Sequence, residues 1–384
     1  MCLVLRRLSS ITSSFICLLL TVMGSNCRDD PQMPQVGQII EPHTTEVGSF
    51  RVLRVIYSGP FSDVYLLGKK TNVNEKFAMK VERQVGNIRP VLKLDVFVLR
   101  EMNTQTGFPR FIGAGQTPYY KYCIMELLGP DLSKLRRSLD AKKFSTTTAL
   151  QVCIQTLQRL ETLHDHGLLC RDVKAPNFAI GLESRASIIY MLDFGFARKY
   201  KDKNGVLMKP RPAAALMGTF LYAPMASHKR EEQCRRDDIE SWFYMACELL
   251  KGTLPWAHLY GVERHQLILE WKQFIRGSGR KEFLRGLPQQ FDHILERIDS
   301  VSFFDRPDYR YLISQLMFAA EQLSIDLKAP LDWQKNKRLV RKAHWVGELG
   351  ESNMASDLMR ENSDLSTAND VTPVDVETWR VWDS

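Results

Sequence analysis

An acid, an amine, an amide and a second acid stand close together in this chain. They are Asp172, Lys174, Asn177 and Asp193, in the runs Cys170-Arg171-Asp172-Val173-Lys174-Ala175-Pro176-Asn177-Phe178 and Asp193-Phe194-Gly195. Together they suit phosphoryl transfer from ATP, which asks little covalent chemistry of a protein. A hydroxyl must be positioned, metal ions held against the phosphates, and developing negative charge absorbed. Asp172 can accept the hydroxyl proton, and Lys174 can neutralise the transferred phosphoryl group. Asn177 and Asp193 offer oxygen ligands, which Mg2+ prefers as a hard cation. Any one of these acids alone would mean nothing; two runs in this order, about 20 residues apart, carry the signal.

Upstream, Phe77-Ala78-Met79-Lys80-Val81-Glu82 alternates apolar and polar positions, as a half-buried strand does. Before it comes Ser58-Gly59-Pro60-Phe61-Ser62-Asp63-Val64-Tyr65. With the two downstream runs, this order resembles the protein-kinase signature. Lys80 then resembles the lysine that grips the α- and β-phosphates, and the Gly59 to Val64 segment stands where a glycine-rich phosphate loop would be. Of that loop's three glycines only Gly59 is present, with Tyr57 and Ser62 at the outer positions. The missing glycines matter because they let backbone N–H groups approach phosphates and adopt positive φ. Ser62 is small enough to be tolerated, whereas Tyr57 is expected to weaken ATP binding.

Further runs are similar to the casein kinase 1 family. Glu126-Leu127-Leu128-Gly129-Pro130-Asp131-Leu132 resembles its hinge MELLGPSL, and Asn177-Phe178-Ala179-Ile180-Gly181 its NFAMG. Arg235-Arg236-Asp237-Asp238-Ile239-Glu240-Ser241 resembles RRDDLES, while Leu254-Pro255-Trp256 and Arg306-Pro307-Asp308-Tyr309 match LPW and KPDY. Tyr190 to Gly195 and a short activation segment lean toward the tau-tubulin kinase branch. The resemblance covers roughly residues 48–330. It implies an α+β, two-lobed protein-kinase fold, with a small β-rich N-lobe over 48–128, a large α-helical C-lobe over 129–330, and ATP in the cleft. It also implies ATP and Mg2+ as the small molecules and Ser/Thr protein hydroxyls as substrates. Gly59, Val64, Ala78, Lys80, Asp95, Met125, Glu126 and Leu128 are the implied ATP-binding positions; Asp172, Lys174, Asn177, Asp193 and Thr219 are the implied catalytic ones, with Asn177 and Asp193 on the metal.

The elements that must position these groups are legible in outline. Phe50 to Glu82 holds the first strands. Val91, Leu94, Val98 and Leu99 are spaced as one face of a helix over 90–102. Its acidic position, which in the family pairs with the strand lysine, is Asp95, one methylene shorter than the usual Glu. Met125 is the expected gatekeeper at the back of the adenine pocket, and the backbone of Glu126 to Leu128 is expected to hydrogen-bond adenine. Thr146 to Asp165 and Gln233 to Leu250 read as long helices, the second opened by Asp238. That carboxylate is expected to anchor the catalytic-loop backbone, the plain alternative being an ordinary N-cap. Cys170 replaces the family's usual His beneath the metal-binding motif, filling its space with a weak donor.

The 384 residues allow one such core and two flanking tails. Net charge is +8; the segment 330–384 carries seven Lys/Arg against ten Asp/Glu, which leaves +11 on the rest. A basic core suits a polyanionic nucleotide and favours acidic or phosphorylated protein substrates by steering. No recognition motif accompanies the charge, so nucleic acid is not an expected partner. The eight cysteines have no CxxC pair, and Cys123, Cys153 and Cys247 read as small buried hydrophobes of a reducing compartment.

Residues 1–24 form a signal-like or anchor-like segment whose apolar run, Ile11 to Met23, is shorter than the ~20 apolar residues a spanning helix needs. A start at Met23 would expose Gly24 and Cys27 to acylation, two chains being enough for stable membrane attachment. The expected location is cytoplasmic, with membrane association through this N-terminus as the alternative and a nuclear location left open. Residues 25–47 read as a linker and 331–384 as a polar tail, largely disordered, with helical potential near 335–349 and two tryptophans, Trp379 and Trp382. A monomer is expected.

Between Arg198 and Met217 there is no Ser or Thr, only Tyr200. Activation by Ser/Thr phosphorylation of this segment is therefore not expected. Thr219 follows Gly218 as in the family's GT-x-YA segment and is expected to bond Asp172 and Lys174. Leu221 stands where the family has an anion-contacting arginine, which puts the family's preference for primed sites in doubt. Lys229, Arg230, Arg235 and Arg236 could compensate, although solvated surface is the plainer reading. Because Tyr57, Ser62, Asp95 and Cys170 depart from the signature without removing a catalytic group, the alternative function is a catalytically silent scaffold.

Overall fold

A computed structural model describes residues 32–42, 47–59, 62–84, 90–261 and 263–335. The apolar N-terminal segment, Gly24, Cys27, Pro60, Phe61, the helical potential beyond Lys335, Trp379 and Trp382 lie outside the described residues. The chain divides into two compact units, one of residues 1–90 and 113–124, the other of 91–112 and 125–384.

The first unit is built on a sheet whose strands are β1 (Ile39–Ile40), β2 (Phe50–Ser58), β3 (Asp63–Lys69), β4 (Asn72–Arg83), β5 (Phe111–Gln116) and β6 (Tyr120–Glu126). Their order is β1-β2-β3-β4-β6-β5. In β4 the expected alternation holds from Phe77 to Val81: Phe77, Met79 and Val81 are buried, while Ala78 and Lys80 are only half-buried on the opposite face; Glu82, also buried, breaks it at the end. The buried set packs with Phe50, Val52, Tyr65 and Leu67, and Phe50 meets Phe77 edge-on at 5.1 Å. The short strand β1 lies inside the stretch read as a linker. Ile39 and Ile40 pair with Arg51 and Phe50, and two apolar residues in a polar run are too few to give a strand signal.

The second unit begins with α1 (Leu92–Glu101) and continues with α2 (Leu132–Ser138) and α3 (Thr146–Asp165). Then come β7 (Leu168–Leu169), β8 (Phe178–Ile180), β9 (Ile189–Met191) and β10 (Arg198–Lys199). The helices α4 (Met225–His228), α5 (Arg235–Lys251), α6 (Arg264–Phe274), α7 (Arg280–Leu284), α8 (Gln290–Asp299), α9 (Tyr309–Gln322) and α10 (Asp332–Lys335) complete it. Helix α5 is buried on nearly every side, as a central core helix must be. Its Phe243 stands among Tyr244, Phe283 and Phe291 at 6.0–6.3 Å, and its Trp242 donates to Thr156 Oγ1 of α3 at 2.9 Å. Gly252 ends α5 at φ 92°. Helix α3 is capped by Ser145, whose N–H and hydroxyl donate to Asp332. Leu331 and Trp333 are buried there, so packing continues beyond residue 330 as far as Trp333. No helix among the described residues is long and apolar enough to cross a membrane.

Two expectations about helices shift. In α1 the buried set is Leu92, Asp95, Val96, Val98 and Leu99, whereas Val91 and Leu94 are half-buried. A carboxylate on the buried face broke the apolar pattern from which the face was read. At the start of α5 it is Asp237 that reaches back to the Cys234 N–H, at 2.7 Å, and Asp238 is free to face the catalytic loop instead of capping.

Candidate active site

Two short antiparallel ribbons set the site. Strand β8 pairs with β9, Phe178 opposite Met191, and β7 pairs with β10, Leu169 opposite Arg198. The loop from Cys170 to Asn177 runs from β7 to β8, and the loop Asp193 to Ala197 runs from β9 to β10. Both loops are thus strung between the same two ribbons. The Leu192 N–H donates to Asn177 O at 2.8 Å, extending the β8–β9 ribbon by one step, so Asn177 and Asp193 emerge from the same end of it.

Asp172 is buried and its two oxygens are fully assigned. Oδ1 accepts from the Thr219 N–H and hydroxyl, each at 2.9 Å. Oδ2 lies 2.8 Å from Lys174 Nζ and accepts from Asn177 Nδ2 at 3.3 Å. Lys174 also donates to Thr219 Oγ1 at 2.8 Å, closing a triangle of acid, amine and hydroxyl. Gly218 makes the approach possible: its φ is 86°, and a Cβ there would come within 2.7 Å of Arg171 O.

The donor set fits Mg2+. Asn177 Nδ2 is spent on Asp172, on its carbonyl at 2.9 Å and on its carboxylate, which leaves the amide oxygen turned away from it. Asp193 is exposed and held at φ 57°. Such a left-handed residue costs on the order of 1 kcal/mol and persists only where its surroundings impose it. Here the next residue imposes it. Phe194 is buried, stacked on Phe108 at 6.1 Å, and its N–H donates to Asp95 Oδ1 at 2.7 Å. Asp95 thus holds the backbone of the Asp193 to Gly195 run from within its own unit.

Beneath the loop, Asp238 accepts from the Cys170 and Arg171 N–H groups, both at 2.7 Å, and bonds His164 Nε2 at 2.9 Å. His164 Nδ1 in turn meets the Tyr309 hydroxyl at 2.5 Å. These bonds hold Arg171 at φ 62°. Burial pushes the Cys170 thiol well up, so it stays protonated as a space-filler. The imidazole below the loop comes from α3 instead, a position that sequence reading passed over.

The segment after Gly218 is fixed from below. Lys272 is fully buried, and its Nζ donates to Phe220 O at 3.1 Å and Ala223 O at 2.5 Å and contacts His228 Nε2 at 3.2 Å. Burial drives the Lys272 ammonium well below its ordinary pKa. Glu240 takes the Met225 N–H at 3.1 Å, and Glu248 the Tyr222 hydroxyl at 2.6 Å. Leu221 O accepts from the Trp256 indole at 2.8 Å. Arg235 is buried, donating to Phe304 O at 2.7 Å, and Arg236 donates to Val301 O at 3.0 Å. These two arginines are structural, which corrects their reading as solvated surface; Lys229 and Arg230 are exposed.

The expected hinge lies beside β8. Gly129 N donates to Ile180 O at 2.8 Å. Glu126 N–H is taken by Arg110 O at 2.9 Å, and Leu128 follows two residues on. Met125 is half-buried at the entrance to this stretch. In the first unit, Val64 stands directly opposite Lys80 in the β3–β4 ladder, and Ala78 lies two residues away on the same half-exposed face. Gly59 N donates to Ser62 O at 3.1 Å, and the Tyr57 phenol lies against the bare Cα of Gly59.

A β-rich unit bearing a half-buried lysine face, with a helical unit bearing an Asp-Lys-Asn-Asp constellation, defines a kinase. The chain belongs to the protein kinase domain family, whose model matches residues 50–319. It is 54% identical over 348 residues to serine/threonine-protein kinase spe-6 of Caenorhabditis elegans, covering 90% of this chain and 91% of that protein. Over 288 residues it is 36% identical to a protein of Dictyostelium discoideum described as a probable serine/threonine-protein kinase, covering 75% of this chain and 57% of that one. The chain is a serine/threonine protein kinase.

Proposed function

We propose that this kinase transfers the γ-phosphate of ATP to Ser/Thr hydroxyls in the manner of the casein kinase 1 family, without phosphorylation of its own activation segment. The observation that carries the reading is the closed set around Asp172. Thr219 and Lys174 hold that carboxylate, so its base position is set before substrate arrives, and a positioned general base is worth about 10²–10⁴-fold. Asp172 orients the incoming hydroxyl and receives its proton. Lys174 lies close enough to the same carboxylate to bear on the transferring group. Asn177 and Asp193 would hold Mg2+, which when bound neutralises charge on the phosphates. Val64, Ala78 and Lys80 offer one face to the nucleotide, and the carbonyl of Glu126 and the backbone of Leu128 offer bonds to adenine.

Substrate choice departs from the family. Leu221 brings no charge to the segment that faces substrate, and Arg235 and Arg236 are already engaged. The net +11 outside the tail favours acidic proteins by long-range steering rather than through one phosphate contact. The test is Mg·ATP phosphotransfer by the full chain to casein and to unprimed acidic peptides, beside Asp193→Asn. Phosphoserine and phosphothreonine that vanish in the variant are expected. Strict dependence on a primed peptide would overturn the substrate reading, and no transfer by well-folded wild type would overturn the catalytic one.

A further inference from the structure

The carboxylate of Glu232 has no part in the chemistry above, yet it is buried, its side chain 5% exposed, in a run of charged residues just before α5. Arg211 grips it with two N–H groups, Nε on Oε2 and Nη2 on Oε1, the latter at 3.2 Å. Arg198 Nε lies 3.6 Å from Oε1. Burial alone would raise this carboxyl, but the Arg211 hydrogen bond and the charges of Arg198, Arg211 and Arg171 hold it below its ordinary range. The three arginines come from three places that must agree for substrate to bind: Arg171 from the catalytic loop, Arg198 from the start of the activation segment, and Arg211 from its middle. The Ala214 N–H donates to Arg230 O at 2.8 Å, laying the segment against the strand of chain that carries Glu232.

Arginines from these places commonly converge on a phosphate added to the segment, which orders it by new charge-assisted bonds. This segment has Tyr200 as its one hydroxyl between Arg198 and Met217. That hydroxyl is already spent on His164 O at 2.5 Å, beneath the stacked Arg235 guanidinium. We infer that Glu232 is a built-in anion, a positioning residue that holds the activation segment in register with the catalytic loop without any phosphate. The inference rests on the reading that this kinase acts without segment phosphorylation, and deepens it by naming what replaces the phosphate.

The experiment uses the full chain with residues 198–217 shown by mass spectrometry to carry no phosphate. Peptide kcat and KM and ATP Kd are measured for wild type, Glu232→Gln, Arg211→Gln, the double variant and Glu232→Asp. A positioning role predicts that Glu232→Gln lowers kcat/KM for peptide about tenfold or more while ATP Kd stays within about twofold. Arg211→Gln should act alike, the double variant no worse than the worse single, and Glu232→Asp should restore part of the loss. Should Glu232→Gln fail to fold, Arg211→Gln, with a side chain 28% exposed, decides alone. Active wild type with equally active variants, or losses that multiply in the double variant, would overturn the anchor only. Wild type that turns over only after Tyr200 is phosphorylated would sink the phosphate-free reading and the anchor with it.

Discussion

At the catalytic loop, Asp172 is held by Lys174, Asn177 and Thr219, and Asp238 holds the backbone beneath. At the segment from Phe220 to Met225, the neighbouring Thr219 O takes the N–H groups of Tyr222 and Ala223, at 2.9 and 2.8 Å, and the remaining holding groups come from far along the chain. Lys272, Glu240, Glu248 and Trp256 reach it from α5, α6 and the turn between them. The first region is a short motif, Asp172 to Asn177, whose side chains bond one another and are joined by Thr219 and Asp238 from farther along the chain. The second is a ribbon of backbone groups satisfied by buried side chains from far along the chain. Chemistry fixes residue identity at set spacing in the first. In the second any buried donor or acceptor of the right reach would serve, so spacing is free to vary.

The contrast can be broken first at Asp238. Asp238→Ala would strand two buried N–H groups and His164, each such loss costing about 1–3 kcal/mol. A fall in melting temperature of roughly 10 °C is expected, read by calorimetry. A fall of only a degree or two would mean that the loop does not need its anchor.

Lys272→Met tests the other region. It removes the shared donor of Phe220 O and Ala223 O from a fully buried site, and a loss of about 3 kcal/mol is expected. The sharper readout is kinetic: peptide KM should rise severalfold while ATP Kd is unchanged. Equal damage to both would erase the distinction between the two regions.

The same platform predicts a pH dependence. Burial, with the facing charges of Lys272 and His265, pushes His228 down to about 2. Below pH 6.5 the unfolded chain takes up a proton that the folded chain refuses, so stability falls as pH drops, by about 1.4 kcal/mol per pH unit from this one group. Asp237, raised to about 6 by burial, acts in the opposite sense below that pH. Wild type must therefore be compared with His228→Gln by urea titration between pH 6.5 and 4.5. The wild-type curve should fall more steeply; parallel curves would show that His228 titrates freely.

The smallest effect is expected at Tyr57. Its phenol covers Gly59, where a Cβ would come within 2.5 Å of the hydroxyl. Tyr57→Gly should tighten ATP about threefold, under 1 kcal/mol, by calorimetric titration. Weaker binding would make the phenol part of the phosphate site.

These differences in support explain what sequence alone could give. Asp172, Lys174, Asn177, Asp193 and Thr219 were picked out because phosphoryl transfer asks for their types at this spacing, and the contacts bring Asp172, Lys174, Asn177 and Thr219 together. Ala78 and Lys80 could be placed on one face because β4 alternates from Phe77 to Val81, and Val64 of β3 was picked out only by the family resemblance. Asp95 hid the buried face of α1, since a carboxylate that takes the Phe194 N–H looks like a surface acid. Lys272, Glu232, Arg235 and Arg236 carry charges that periodicity assigns to solvent, and only their partners, tens of residues away, place them inside. His164 was unremarked because its partners, Asp238 and Tyr309, lie 74 and 145 residues downstream.

The measurement closest to the central claim is single-turnover phosphoryl transfer by wild type and Asp172→Asn, with ATP Kd determined for both. The account predicts a transfer rate about 10³-fold lower in the variant, with ATP affinity and melting temperature nearly unchanged. A variant that transfers phosphate at the wild-type rate would show that Asp172 is not the base and that the set built around it serves some other end.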